Sequence, residues 1–425
     1  MTRRLNEAAL ADVDRRLAAA DHDLVTRYPG DDGRRQPVHT VYIPGNRYSA
    51  TMPADWGSTA LAAAKDAGGL DAVAALVGTG GETGCEPETL AALVEGKLST
   101  EPIEDLRIDF EDGYGTFDDA TEDADVAQVI AALRTALDAG TSTPFVGIRF
   151  KCFEAGTRAR GLRTLDMFIS GLVESGGLHD GLTLTLPKVT SVDQVEAMVM
   201  VATALETANG LPPGRIRFEV QVETPQAILG ADGRAPVAQF IHAGQGRVSS
   251  LHYGTYDYSA SLGIAAAYQS MEHPAADHAK NVMQLAVAGT GVHMSDGSTN
   301  ILPVGDPDNV AMAWKLHARL VRRHLERGIY QGWDMHPAQL VTRYLATYAF
   351  YRGAFAPAAT RLRNYVHQLD STVMDEPATA RALANVIRRG SVCGALTDDE
   401  IEAATDLPLS TVRDVALGRT TRSNQ

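Results

Sequence analysis

The chain reads as an α/β protein, a (β/α)8 TIM barrel with an N-terminal helix and a C-terminal helical extension. Two observations carry that reading. Eight strand-like runs alternate with alanine-rich helical stretches, the pattern of a parallel sheet joined by crossover helices. Nearly every run ends abruptly in a charged or polar residue, as strands do at the C-terminal mouth of such a barrel. A length of 425 residues suits one large barrel with extensions.

Taken in order, residues 1–28 read as an amphipathic helix, with Leu5, Leu10, Val13, Leu17 and Leu24 near one face. The polar segment PGDDGRRQP completes an N-terminal unit, 1–37. The barrel is expected over 38–337, with strands at 39–45, 106–112, 145–151, 182–189, 216–224, 248–257, 290–297 and 329–337. The gap over 46–105 contains the glycine-rich VGTGGETGC, whose spacing fits neither phosphate-binding consensus, so it reads as a flexible insertion. From 338 to 425 the strand pattern stops and several helices follow. LTDDEIEAATDLPLSTVRDVALGR has a helix-turn-helix outline but no basic stripe, so a packing extension is the better reading.

Composition narrows the function. A net charge of −15 argues against a general nucleic-acid or anionic-membrane surface. Cys85, Cys152 and Cys393 are scattered and odd in number, which suits a reducing cytoplasm rather than a disulfide framework or a structural zinc site. The N terminus lacks the apolar core of a signal peptide, and no window approaches the ~18 apolar residues that would cross a bilayer.

The strand ends supply the chemistry. In order they carry Gly45 with Asn46 and Arg47; Asp109, Glu111 and Asp112; Arg149 and Lys151; Lys188; Glu223; Asp257; Asp296; and Asp334 with His336. Charged groups beside β-branched core runs are costly to bury unless paired or bound to a metal. Glu223 in VETPQAILG and Asp257 in GTYDYSASLG end successive strands. Two such carboxylates suit a hard divalent cation, Mg²⁺ or equally Mn²⁺.

VYIPGNR, IDFEDGYG, GIRF, LPKV, VETPQAIL, GTYDYSASLG and MHPAQL occur in this order. Together, over residues 38–345, they resemble the citrate lyase β-subunit-like and hydroxy-keto-acid aldolase branch of the phosphoenolpyruvate/pyruvate superfamily. The resemblance implies a Mg²⁺-dependent carbon–carbon lyase, or the reverse condensation, acting through an enolate of a 2-oxo acid or acyl-CoA. It implies that Glu223 and Asp257 hold the metal and that Arg149 contacts the substrate. Asp109, Glu111 and Asp112 would line the site, with Gly45 beside the substrate. Lys188 corresponds to the lysine of the family's Pro-Lys step. For the base that takes the hydroxyl proton, Asp112, Asp334, His336 and a metal-bound hydroxide all stand open. The family also implies a homo-oligomer, a trimer or hexamer.

The last strand departs from the family pattern: Gly332, Trp333 and Asp334 stand where a glycine-lysine step is usual, so acyl-CoA use does not follow from the resemblance. Lys151, Arg158, Arg160 and Arg163 form a basic loop that could receive a phosphate, a CoA diphosphate or a second carboxylate, or simply pair with surface acids. Two competing functions are phosphoenolpyruvate-dependent phosphoryl transfer and a non-catalytic barrel serving as a binding or regulatory subunit.

Overall fold

A computed structural model describes residues 4–79, 86–369 and 375–419. Eight parallel strands form the centre: β1 (His39–Pro44), β2 (Asp105–Asp109), β3 (Phe145–Arg149), β4 (Leu184–Leu186), β5 (Phe218–Val222), β6 (Val248–Tyr253), β7 (His293–Ser295) and β8 (Gly332–Asp334). From β1 to β7 each strand pairs with the next, and β8 pairs with β1. An isolated bridge between Ser295 and Gln331 joins β7 to β8 and closes the ring, so the fold is the expected TIM barrel.

Strand side chains alternate between lumen and helix layer. In β2, Leu106 and Ile108 enter the apolar core between sheet and helices, while Asp105, Arg107 and Asp109 point inward. The lumen is therefore ionic. Arg107 donates to Asp105 Oδ1 at 2.6 Å, to Glu219 Oε2 at 2.7 Å and to Thr185 Oγ1 at 3.0 Å. Thr40 Oγ1 donates to Asp105 Oδ2 at 2.8 Å, and His252 Nε2 stands 3.0 Å from Glu219. A buried cation satisfied from several sides avoids the desolvation cost of an unpaired one.

Several expected bounds are corrected. The strands at 182–189, 290–297 and 329–337 contract to three residues each. The strand expected to reach Asp257 ends at Tyr253, because helix Thr255–Ser261 begins after Gly254; Asp257 sits in that helix's first turn. The expected flexible insertion is helical instead, with helices Met52–Asp66, Leu70–Leu76 and Pro87–Thr100. Trp56, Ala60 and Ala64, and likewise Leu90, Val94 and Leu98, recur at i+4 and are buried. Most of VGTGGETGC, including Cys85, lies outside the described residues, as does the end of the C-terminal segment.

Helix Pro337–Val366 opens with His336 as N-cap: the imidazole accepts from Ala338 N, and the Gln339 side chain bonds back to His336 N. Its second half joins helices Pro377–Val392, Asp398–Thr405 and Leu409–Ala416 around a small apolar cluster of their own, including Leu362, Ile387, Ile401 and Val412. Helix Glu7–Arg27, capped by Asn6, has no buried residue. No helix among the described residues is long and apolar enough to cross a membrane.

Candidate active site

A cavity of about 400 Å³ opens at the C-terminal mouth, where Asp109, Asp112, Arg149, Glu223 and Asp257 converge. Arg149, last residue of β3, is 4% exposed and lies parallel to the Asp109 carboxylate. Its Nε and Nη2 donate to Asp109 Oδ1 and Oδ2, both at 2.7 Å. Asp109 also accepts from the backbone N–H groups of Glu111 and Gly113, at 3.0 and 2.9 Å. The bidentate geometry fixes the guanidinium plane. Nη1 remains toward Gln221 Oε1 (3.3 Å) and Glu111 (3.7 Å). The guanidinium lies beside an aromatic pair, 4.8 Å from the Tyr42 ring and 5.8 Å from that of Trp333, whose centroids are themselves 4.2 Å apart.

Lys188 has φ of 50°, a left-handed backbone rare for a side chain with a Cβ. In that conformation its N–H donates to Glu223 Oε1 at 2.8 Å. Its Nζ lies 2.6 Å from both Glu111 Oε1 and Asp112 Oδ2, and 3.8 Å from Asp257 Oδ2. Burial opposes its charge, yet the Asp112 and Glu111 carboxylates hold its pKa above the ordinary lysine value. The ammonium is thus a bridging cation.

Glu223 is 2% exposed. Oε2 accepts from Gln221 Nε2 at 3.0 Å, but no cationic side chain lies within ion-pair distance among the described residues. Burial, with the Asp257 and Glu111 charges nearby, pushes its pKa up to about 8, against partial relief from Arg149 and Lys188. Gly254 makes room for it: a Cβ there would sit 2.5 Å from Glu223 Cβ and 2.7 Å from Oε2. Asp112 is the contrasting acid. Burial raises its pKa, but the hydrogen bond from Lys188 leads the effects that hold it below the usual value.

The expected site residues do not all meet. Asp334 is corrected: it faces the helix layer and is fully buried there. Arg343 Nε and Nη2 donate to it at 3.0 and 2.9 Å, and His39 and His317 approach to 3.0 Å. Burial alone would raise its pKa, but Arg343 and the two histidines hold it well below the carboxylate range. Its neighbours Trp333 and Met335 face the cavity. Gly45 abuts the Phe110 ring, 2.6 Å from where a Cβ would stand, and Pro44 lines the cavity in its place. His336 is occupied as a helix cap. The basic loop is neutralised: Lys151 pairs with Glu122, and Arg160 and Arg163 with Asp123, while Arg158 donates to the Phe153 carbonyl.

Tyr42, Gln221, Thr255 and Tyr256 also line the cavity and were missed. Tyr42 and Gln221 were findable, since each stands two residues before a strand-end residue and so shares its face.

The described residues include no preformed cluster of three or more metal-ligating groups. The donor set nevertheless suits a hard cation. Among the described residues, the five acidic groups Asp109, Glu111, Asp112, Glu223 and Asp257 meet two cations, Arg149 and Lys188, an excess of three carboxyl groups, of which Glu223 holds its proton below about pH 8. Mg²⁺ needs only one or two carboxylates and completes its shell with water or substrate.

A closed (β/α)8 barrel with an acidic, arginine-bearing cavity at its C-terminal mouth is the class defined by these features. Within it, the chain belongs to the family described as a domain of unknown function, DUF6986, which matches residues 17–420. No curated protein matches. Among solved structures, the fold is similar to that of a citrate lyase from Burkholderia xenovorans LB400, with 18% identity and a TM-score of 0.57; the match covers 88% of this chain and 97% of that one. It is also similar to that of the Haloferax volcanii malate synthase in its magnesium/glyoxylate complex, with 13% identity and a TM-score of 0.50, covering 90% of this chain and 98% of that one. The resemblance drawn from the motifs is thus met in the fold.

Proposed function

We propose that the protein is a carbon–carbon lyase, or the corresponding condensing enzyme, that works through the enolate of a 2-oxo acid or acyl thioester. The observation that carries the reading is the excess of carboxyl groups around Glu223, set opposite a guanidinium held rigid by Asp109. The magnesium and glyoxylate in the malate synthase of similar fold are consistent with it.

Glu223 and Asp257 would hold a divalent cation, Mg²⁺ or Mn²⁺. When bound, it would supply Lewis-acid stabilisation to the oxygen on which enolate charge develops. Arg149 binds the substrate carboxylate or carbonyl through Nη1, the guanidinium nitrogen that Asp109 leaves free. Asp109 acts through Arg149, as a positioning residue. Lys188 gathers Glu111 and Asp112 and keeps Asp112 ionised. Asp112 is the proposed acceptor of the hydroxyl proton, since Asp334 faces away and His336 caps a helix. Tyr42 and Trp333 cover the guanidinium and keep water from it.

Proton exchange in D₂O tests the proposal, with pyruvate and acetyl-CoA as parallel substrates. Methyl exchange that requires added Mg²⁺ or Mn²⁺ and is lost in Glu223→Ala is the expected result. Exchange with neither compound, in protein shown calorimetrically to bind the metal, would count against enolate chemistry on both substrate classes.

A further inference from the structure

Helix Glu7–Arg27 is about 32 Å long at 1.5 Å per residue, and no residue in it is buried. Val13, Leu17 and Leu24 are 54%, 48% and 61% exposed. The chain meets the barrel at the end of the helix, where Thr26 and Arg27 line a cavity with His242 and Gln245, Gly30 N donates to Gly289 O at 2.8 Å and the Tyr28 ring meets His242 edge-on. Most helical stability in proteins comes from packing an amphipathic face, so an apolar stripe left open along this helix is a poor end state.

The stripe has a specific period. Leu10, Val13, Leu17, Ala20 and Leu24 follow one another by three, four, three and four residues. That is the a/d seam of a coiled coil, narrower than the apolar face a helix turns toward a globular core. The flanking charges then decide the partner and its direction. With Leu10 at a, Glu7, Asp14 and Asp21 fall at e, and Arg16 and Asp23 at g. In a parallel pair, g faces the e position five residues on in the other helix, so each Arg16 meets an Asp21. In an antiparallel pair e faces e and g faces g: the register that sets Asp14 against Asp21 sets Arg16 against Asp23, so attraction and repulsion cancel, and the register that sets Arg16 against itself also sets Asp14 against itself. Seam and flanks are therefore complementary to the same sequence running in the same direction.

We propose that this helix is an oligomerisation arm that pairs with a second copy of itself as a parallel, in-register, two-stranded coiled coil. Pairing would place two barrels at the same end of the arm. If the barrels also assemble through other faces, the arm doubles whatever unit they form.

The test compares molar mass by light scattering for the wild type and Leu17→Glu. Glutamate keeps helix propensity, and the side chain it replaces touches no core, so the barrel stays folded; an unchanged thermal unfolding transition verifies this. The expected result is a variant of half the wild-type mass. In parallel, Leu17→Cys is expected to form inter-chain disulfides under mild oxidation that Arg15→Cys, on the outer side, does not. Equal masses for wild type and Leu17→Glu would overturn the proposal. So would cross-links that form between Leu17→Cys and Ala20→Cys chains, or between Leu17→Cys and Val13→Cys chains, but not between two Leu17→Cys chains, because those mark an antiparallel pair.

Discussion

Glu223 stores a penalty that one substitution should release. Its pKa rises from 4.5 to about 8 on folding, because burial and the Asp257 and Glu111 charges disfavour the ionised form. The folded state therefore holds this proton more tightly than the unfolded state. Between pH 4.5 and 8 the unfolded chain has lost it while the folded chain keeps it, so stability falls as pH rises through that window and levels off above it. The full shift is worth about 5 kcal/mol, of which about 1 is incurred at pH 5 and about 3 at pH 7. Glu223→Gln removes the titration while keeping the shape and an acceptor for Lys188 N–H. Without metal, the variant should gain about 2 kcal/mol on the wild type between pH 5 and pH 7. Urea unfolding at half-unit pH steps in a chelating buffer measures this directly. Parallel pH profiles for the two proteins would refute the reasoning, because they would mean Glu223 is already ionised or already compensated.

Other expectations follow from the same geometry. Mg²⁺ or Mn²⁺ binding should displace the Glu223 proton, so calorimetry at pH 7 in buffers of different ionisation enthalpy should detect close to one proton released, and affinity should fall below pH 7. Arg149→Lys should fold normally but lose about 10²–10³ in exchange or lyase rate, since lysine cannot satisfy Asp109 in bidentate fashion and still point at the substrate. Asp334→Ala should lower stability by about 3–5 kcal/mol through the stranded Arg343, yet leave the rate per folded molecule near wild type; a selective loss of rate would restore Asp334 to the site. Gly254→Ala should weaken metal binding in calorimetry, because the new methyl meets the Glu223 side chain.

The strand ends were legible because each β-branched run stops on a charge, and a barrel turns those ends toward one mouth. Arg149 and Glu223 reach the mouth on that ground, whereas Asp257 reaches it from the first turn of the helix after β6. Asp334 did not, because its face depends on parity within a three-residue strand, and a single residue separates lumen from helix layer. The helices of 52–100 were hidden by an alanine-rich sequence whose i+4 spacing is quieter than its glycines. The lumen network was hidden for another reason. Asp105, Arg107 and Glu219 look like polar interruptions within strands until the ring closes and brings them within hydrogen-bond reach across β2, β4 and β5.

That ionic lumen also acts as a key for assembly. If β2 slid one residue against its neighbours, Leu106 and Ile108 would turn toward the lumen and Arg107 and Asp105 would be driven together into the apolar layer, with Glu219 and Thr185 left without their donor. A barrel filled only with valine and isoleucine would tolerate such a slip far more cheaply. Here every mis-threaded ring strands buried charge, so the alignment that brings Asp109 beside Arg149 at the mouth is enforced from within the closed ring.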